Sequence, residues 1–120
     1  MNNWKNKNLF IAFKNAVSGI LQAIKSQINL KIQIVVAIIV IALGFLFNFN
    51  INEFVLLIIT IFIVIITEMI NTAIEATLNL YTEEYSEKVK KAKDISAGAV
   101  VLSAMCAIIV GILLFGSRLV

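Results

Sequence analysis

Six residues carry most of the polar chemistry of an otherwise apolar stretch. Glu68, Asn71, Glu75 and Asn79 come close together, and Lys93 with Asp94 follows. In a helix turning 100° per residue, the spacings of 7 and 4 set Glu68, Glu75 and Asn79 in one narrow stripe. Asn71 falls about 60° from it, on the same side. Glu68 follows the 14-residue run FVLLIITIFIVIIT, so it stands at the polar end of a membrane-grade segment. A carboxylate there costs at least ~2.5 kcal/mol and must face protein or water. One such Glu is often only a hydrogen-bonded seam between helices, and Lys93 alone would be read as a snorkelling lysine. Two Glu with two amides, opposite a Lys-Asp pair, make a site. The set suits phosphoryl transfer: carboxylates hold Mg²⁺, lysine neutralises phosphate, and a further carboxylate takes the proton of an attacking hydroxyl.

Other chemistries are excluded by composition. Histidine is absent and Cys106 is the single cysteine, so Ser-His and Cys-His catalysis, histidine–metal sites and internal disulfides are out. Gly98, Gly111 and Gly116 are scattered along an apolar segment and read as packing positions, not as a phosphate-binding loop.

The elements that must position these groups are helices in a membrane. Of the 120 residues, 61% are hydrophobic and 14% charged. A domain of this size buries only about 60–70% of its unfolded surface, so a soluble monomer is not expected. With no proline, long uninterrupted helices are easy to build. Leu9, Phe10, Phe13, Val17, Ile20 and Ile24 recur with helical spacing among polar residues, predicting an amphipathic surface helix over about 9–28, with Trp4 as an anchor. Three spans are expected, at about 30–49, 53–80 and 95–115. Asn48, Asn50 and Asn52 mark a turn between the first two, and residues 81–94 a polar loop before the third. The whole chain, 1–120, reads as one membrane-embedded domain.

Charge placement orients it. Lys5, Lys7, Lys14, Lys25 and Lys31 precede the first span, and Lys88, Lys90, Lys91 and Lys93 follow the second; the connector between holds Glu53. Positive residues collect on the cytoplasmic side, so the N-terminus and the 81–94 loop are expected inside the plasma membrane and the C-terminus outside. The same lysines flank membrane-grade segments, which argues against a nucleic-acid partner. No signal peptide is visible, and insertion of the whole chain is expected.

The run Glu68-Met-Ile-Asn71-Thr-Ala-Ile-Glu75-Ala, followed about 18 residues later by Ala92-Lys93-Asp94 and a helix rich in small residues, resembles the prokaryotic diacylglycerol kinase family. The form NTAIE is similar to its Gram-positive branch, the undecaprenol kinases. The resemblance extends over nearly the whole chain. It implies an all-α membrane fold assembled as a homotrimeric bundle, with ATP and Mg²⁺ at the cytoplasmic surface and a lipid alcohol in the bilayer as acceptor. By position it implies Glu68 as general base, Asn71 as an active-site amide and Glu75 as a metal carboxylate. Lys93 and Asp94 match nucleotide contacts, as do Glu84, Tyr85 and Ser86, although the family usually has His at Ser86. Undecaprenol is expected ahead of diacylglycerol.

Two carboxylates of the family pattern are replaced by amides. Gln27 stands where a metal-binding Glu is expected, and Asn79 where an Asp is expected beside the nucleotide. The family's N-terminal arginine is missing, with only Lys5 and Lys7 nearby. Weaker metal binding and slower turnover follow, and a catalytically silent membrane interaction protein of the same fold is the alternative. A small multidrug-type transporter fits less well, since that architecture has four spans with its Glu in the first. The polar stripe is expected to need neighbouring subunits to enclose it, with Ser96, Ala97, Gly98 and Ala99 allowing close approach.

Overall fold

The computed structural model describes residues 8–119. Trp4, Lys5 and Lys7, and with them the proposed anchor, lie outside the described residues. Four helices follow one another: α1 (Leu9–Ser26), α2 (Ile28–Leu46), α3 (Ile51–Tyr81) and α4 (Glu87–Leu119). No strand occurs among the described residues.

Helix α1 begins where the Asn8 side chain accepts the Ile11 N–H at 2.9 Å, satisfying one of the first-turn donors. Its apolar residues Leu9, Phe10 and Phe13 are 86%, 75% and 69% exposed, and no residue of α1 is buried. An amphipathic helix with an uncovered apolar face suits the membrane interface. Gln27 alone separates α1 from α2. Its extended backbone (φ −113°, ψ 113°) donates its N–H to Ala23 and accepts from the Lys31 N–H, so one residue closes one helix and opens the next.

The turn from α2 to α3 is written in asparagine. Asn48 takes the left-handed conformation, φ 56°, which asparagine tolerates better than most residues. Beside it the Asn48 N–H donates to Phe45 and the Phe49 N–H to Gly44, the paired bonds of a Schellman stop. Asn50 then caps α3: its side chain accepts the Glu53 N–H, and Glu53 accepts the Asn50 N–H in return. Gly44 is required by close approach, because a Cβ there would sit 2.9 Å from the Phe54 ring.

Helices α2, α3 and α4 are each long and apolar enough to cross a membrane, and most of each apolar stretch faces outward. The fold is an all-α, multi-pass membrane bundle. At 1.5 Å per residue α3 and α4 run about 46 and 50 Å, well beyond a ~30 Å hydrocarbon core, whereas α2 runs about 28 Å. The excess lies at the end where α3 stops and α4 starts. There the structure corrects one boundary: the expected loop over 81–94 shrinks to residues 82–86, and α4 begins at Glu87, eight residues early. Lys and Glu are good helix formers, so a polar stretch outside the membrane continues the helix inside it.

At the opposite end Phe49, Leu57 and Leu114 form a buried core, with Phe47, Phe54 and Phe115 packed on it. Arg118 closes this end. Its guanidinium grips both oxygens of Glu53, donates from Nε to the Phe47 carbonyl at 2.9 Å and lies 4.7 Å from the Phe49 ring centre. The last turn of α4 is thereby tied to the α2–α3 turn.

Candidate functional site

The polar end of the bundle is built on the α3–α4 contact. Glu68 is 2% exposed and Asn71 is also buried. Asn71 Nδ2 donates to Glu75 Oε1 at 2.7 Å, one turn along α3. Asn71 Oδ1 accepts from Ser96 Oγ of α4 at 2.6 Å. Farther out, Lys93 Nζ donates to Asn79 Oδ1 at 2.7 Å, again across α3 and α4. Asp94 is paired with Lys90 one turn earlier, at 2.6 Å and largely in solvent.

Glu68, Asn71, Glu75, Asn79 and Lys93 therefore lie along one seam. Glu84, Tyr85 and Ser86 lie in the short loop beyond it, with Tyr85 exposed and the Ser86 hydroxyl accepting the Val89 N–H at 3.5 Å as α4 begins. Gln27 sits half-buried at the α1–α2 junction. Val64 and Ile65 of α3 share a groove with Gln33 of α2. One turn farther along each antiparallel helix, Glu68 comes level with the start of α2.

The expectation that neighbouring subunits must enclose the whole stripe is corrected in part. One chain already buries Glu68 and Asn71, and leaves Glu75 and Asn79 exposed. The reason lies in the packing of α4, whose buried Ser96 bonds Asn71 at this end of the stripe, whereas Glu75 and Asn79 farther along stay exposed. Of the small residues at the start of α4, only Ser96 is buried, and a Cβ on Gly98 would meet nothing within 4 Å.

The two charged residues best placed for chemistry differ in surroundings. No side chain of the described residues hydrogen-bonds the Glu68 carboxylate, leaving its oxygens available to a hydroxyl. Glu75 is oriented by Asn71 and keeps Oε2 for a second partner. Among the described residues no three of Asp, Glu, Cys and His group into a closed metal cage. Lys93 meets a neutral amide oxygen rather than a carboxylate, so its charge stays uncompensated by that contact.

Two features went unread in the sequence as parts of this arrangement. Ser96 passed for a packing residue, because a serine among alanines and glycines carries no separate signal. Gln33 is the other. Its Oε1 is buried without a hydrogen-bond partner, beside an apolar groove of about 290 Å³ that also involves Ala37, Thr60, Val64 and Gly111. A lone amide in the run IVVAIIVIAL's approach was its available sign.

Residues 14–115 match the family described as prokaryotic diacylglycerol kinase. The chain is 36% identical over 105 residues to a diacylglycerol kinase of Synechocystis sp., covering 87% of this chain and 60% of that protein. It is 44% identical over 52 residues to the undecaprenol kinase of Bacillus subtilis, covering 43% of this chain and 42% of the relative. A diacylglycerol kinase of Escherichia coli is 38% identical over 64 residues, covering 53% and 52%. The matched segments thus span 42% to 60% of the lengths of these relatives.

Proposed function

The chain belongs to the prokaryotic diacylglycerol kinase family, and from that premise we propose that it is a lipid kinase, transferring the γ-phosphoryl group of ATP to a membrane lipid alcohol. The observation that carries this reading is Glu68, a buried carboxylate with no hydrogen-bond partner among the described residues, one turn beyond the apolar groove. Its free oxygens would accept the hydrogen of the lipid hydroxyl and then the proton, as the oxygen attacks phosphorus. Asn71 stands about one turn and Glu75 about two turns farther toward the polar region, where the triphosphate would lie.

Glu75, with the neutral oxygen of Gln27, would hold Mg²⁺. Bound with the nucleotide, the ion spreads the negative charge of the phosphoryl group in transfer. Lys93 would contact phosphate oxygens, with Asn79 steadying its ammonium group without neutralising it. Asp94, Glu84, Tyr85 and Ser86 would border the rest of the nucleotide. The apolar groove ending one turn from Glu68 offers an isoprenoid or acyl chain a path to the carboxylate. Undecaprenol is the preferred acceptor, in line with the NTAIE form of the motif; diacylglycerol presents the same primary hydroxyl. A homotrimer, with the nucleotide end in the cytoplasm and the C-terminus outside, completes the reading.

The test is phosphorylation of undecaprenol and of diacylglycerol by the purified protein in micelles with ATP and Mg²⁺. Faster labelling of undecaprenol is expected. Labelling of neither lipid would overturn the proposal and favour the silent interaction protein that the amides Gln27 and Asn79 suggest.

A further inference from the structure

We propose that Ser96 is a positioning residue that sets the direction of the Glu75 carboxylate through the Asn71 amide. The inference rests on the lipid-kinase reading and assigns a role to a residue outside its machinery. An ionised carboxylate only accepts hydrogen bonds, so Asn71 must turn its NH₂ toward Glu75. Its carbonyl oxygen then points the other way, into the buried α3–α4 contact, where it needs a donor. Ser96 Oγ supplies it at 2.6 Å. The carboxylate fixes which end of the amide faces it, and the hydroxyl, donating from α4, anchors the other end; without that bond the carbonyl oxygen is buried unpaired and the amide is no longer held in line with Glu75.

The behaviour of the other hydroxyls singles this bond out. Thr60, Thr67, Thr72 and Thr77 of α3 and Ser103 and Ser117 of α4 all donate to carbonyls of their own helix. That is the usual habit of Ser and Thr in membrane helices. Among the Ser and Thr of these two helices, only Ser96 donates across to a side chain of the other. Ser96 also lies three residues from Lys93, on one side of α4, so the same helix face holds both Asn71 and Asn79. The carboxylate proposed for the metal and the lysine proposed for phosphate are thereby referenced to one rigid element.

The test compares Ser96→Thr with Ser96→Val in the full chain, two side chains of equal shape that differ in the hydroxyl. Mn²⁺ is the probe, its binding followed by electron paramagnetic resonance with a non-hydrolysable ATP analogue. The Thr variant should bind like the parent and the Val variant about tenfold or more weakly, as is typical when an outer partner of a metal ligand is lost. Affinity for the metal-free analogue and oligomer mass should not change. Equal Mn²⁺ affinity in both variants overturns the inference while leaving the kinase reading intact. A parent that binds no Mn²⁺ with the analogue overturns the reading itself, and the role of Ser96 with it. Hydrogen exchange of the Asn71 side-chain amide in the ¹⁵N-labelled parent needs no variant: slow exchange is expected, and exchange at the rate of a solvent-exposed asparagine overturns the inference.

Discussion

Glu68 and Glu75 are the same residue type on one helix, seven positions apart, and their different surroundings are what the proposed roles rest on. Glu68 is buried with free oxygens; Glu75 is exposed and held by an amide. Glu68→Gln removes the proposed proton acceptor and keeps the shape, so it should lower lipid phosphorylation by roughly 10²–10⁴-fold with oligomer mass unchanged. Activity equal to the parent's would sink the assignment of the base. Glu75→Gln should abolish Mg²⁺-dependent nucleotide binding. Gln27→Glu should strengthen it, by adding a charge at the junction of α1 and α2. Calorimetric titration with Mg²⁺ and nucleotide reads both, and unchanged affinity in Gln27→Glu would separate that junction from the metal.

Helix ends decide how the elements meet. The α2–α3 turn is specified by a left-handed Asn48, a capping Asn50 and the missing side chain of Gly44. Gly44→Ala should destabilise the bundle by about 1–3 kcal/mol, since its methyl would press into the ring of Phe54, itself packed between a tilted Phe45 and an edge-on Phe49. Asn48→Val should cost about 1–2 kcal/mol, because a β-branched residue resists positive φ, while Asn48→Gly should not. Unfolding titrations in mixed micelles measure each. A Gly44→Ala midpoint matching the parent would show that the aromatic cluster yields freely. Arg118→Leu, which frees the end of α4 from Glu53, should lower the midpoint as well.

For the molecule as a whole, the polar ends of α3 and α4 leave Glu75 and Asn79 open, and a neighbouring subunit is the proposed cover. Gly98 serves as the probe of that assembly. A Cβ there would meet nothing within 4 Å inside the chain, so the bulk added by Gly98→Leu starts on an open side of the protomer. It should nevertheless shift the mass in detergent from trimer to monomer and lower ATP turnover. A variant still trimeric and fully active would place the interface on another face of α4. Orientation is checked separately: cysteines placed in the 82–86 loop should react with membrane-permeant reagents only, and one after Arg118 with impermeant reagents from outside.

The sequence by itself determined the class of this protein. Periodicity and run length set the surface helix and three spans, because continuous apolar runs of about 20 residues cross a bilayer as helices, whereas barrel strands are shorter and alternate in polarity. The polar stripe was legible too, since carboxylates and amides at helical spacing in such a run must face protein or water. Its partners were not legible. Ser96 reaches Asn71 across 25 residues, Lys93 reaches Asn79 across 14, and Arg118 reaches Glu53 across 65. Those pairings depend on how two helices are rotated and shifted against each other, which no single-helix pattern contains. The start of α4 escaped for a related reason: polarity marks where a membrane ends, whereas a helix continues as long as its backbone bonds do. Which part of the stripe is buried was likewise decided only by packing, where the close approach of α4 at Ser96 shelters Asn71 and leaves Glu75 and Asn79 exposed.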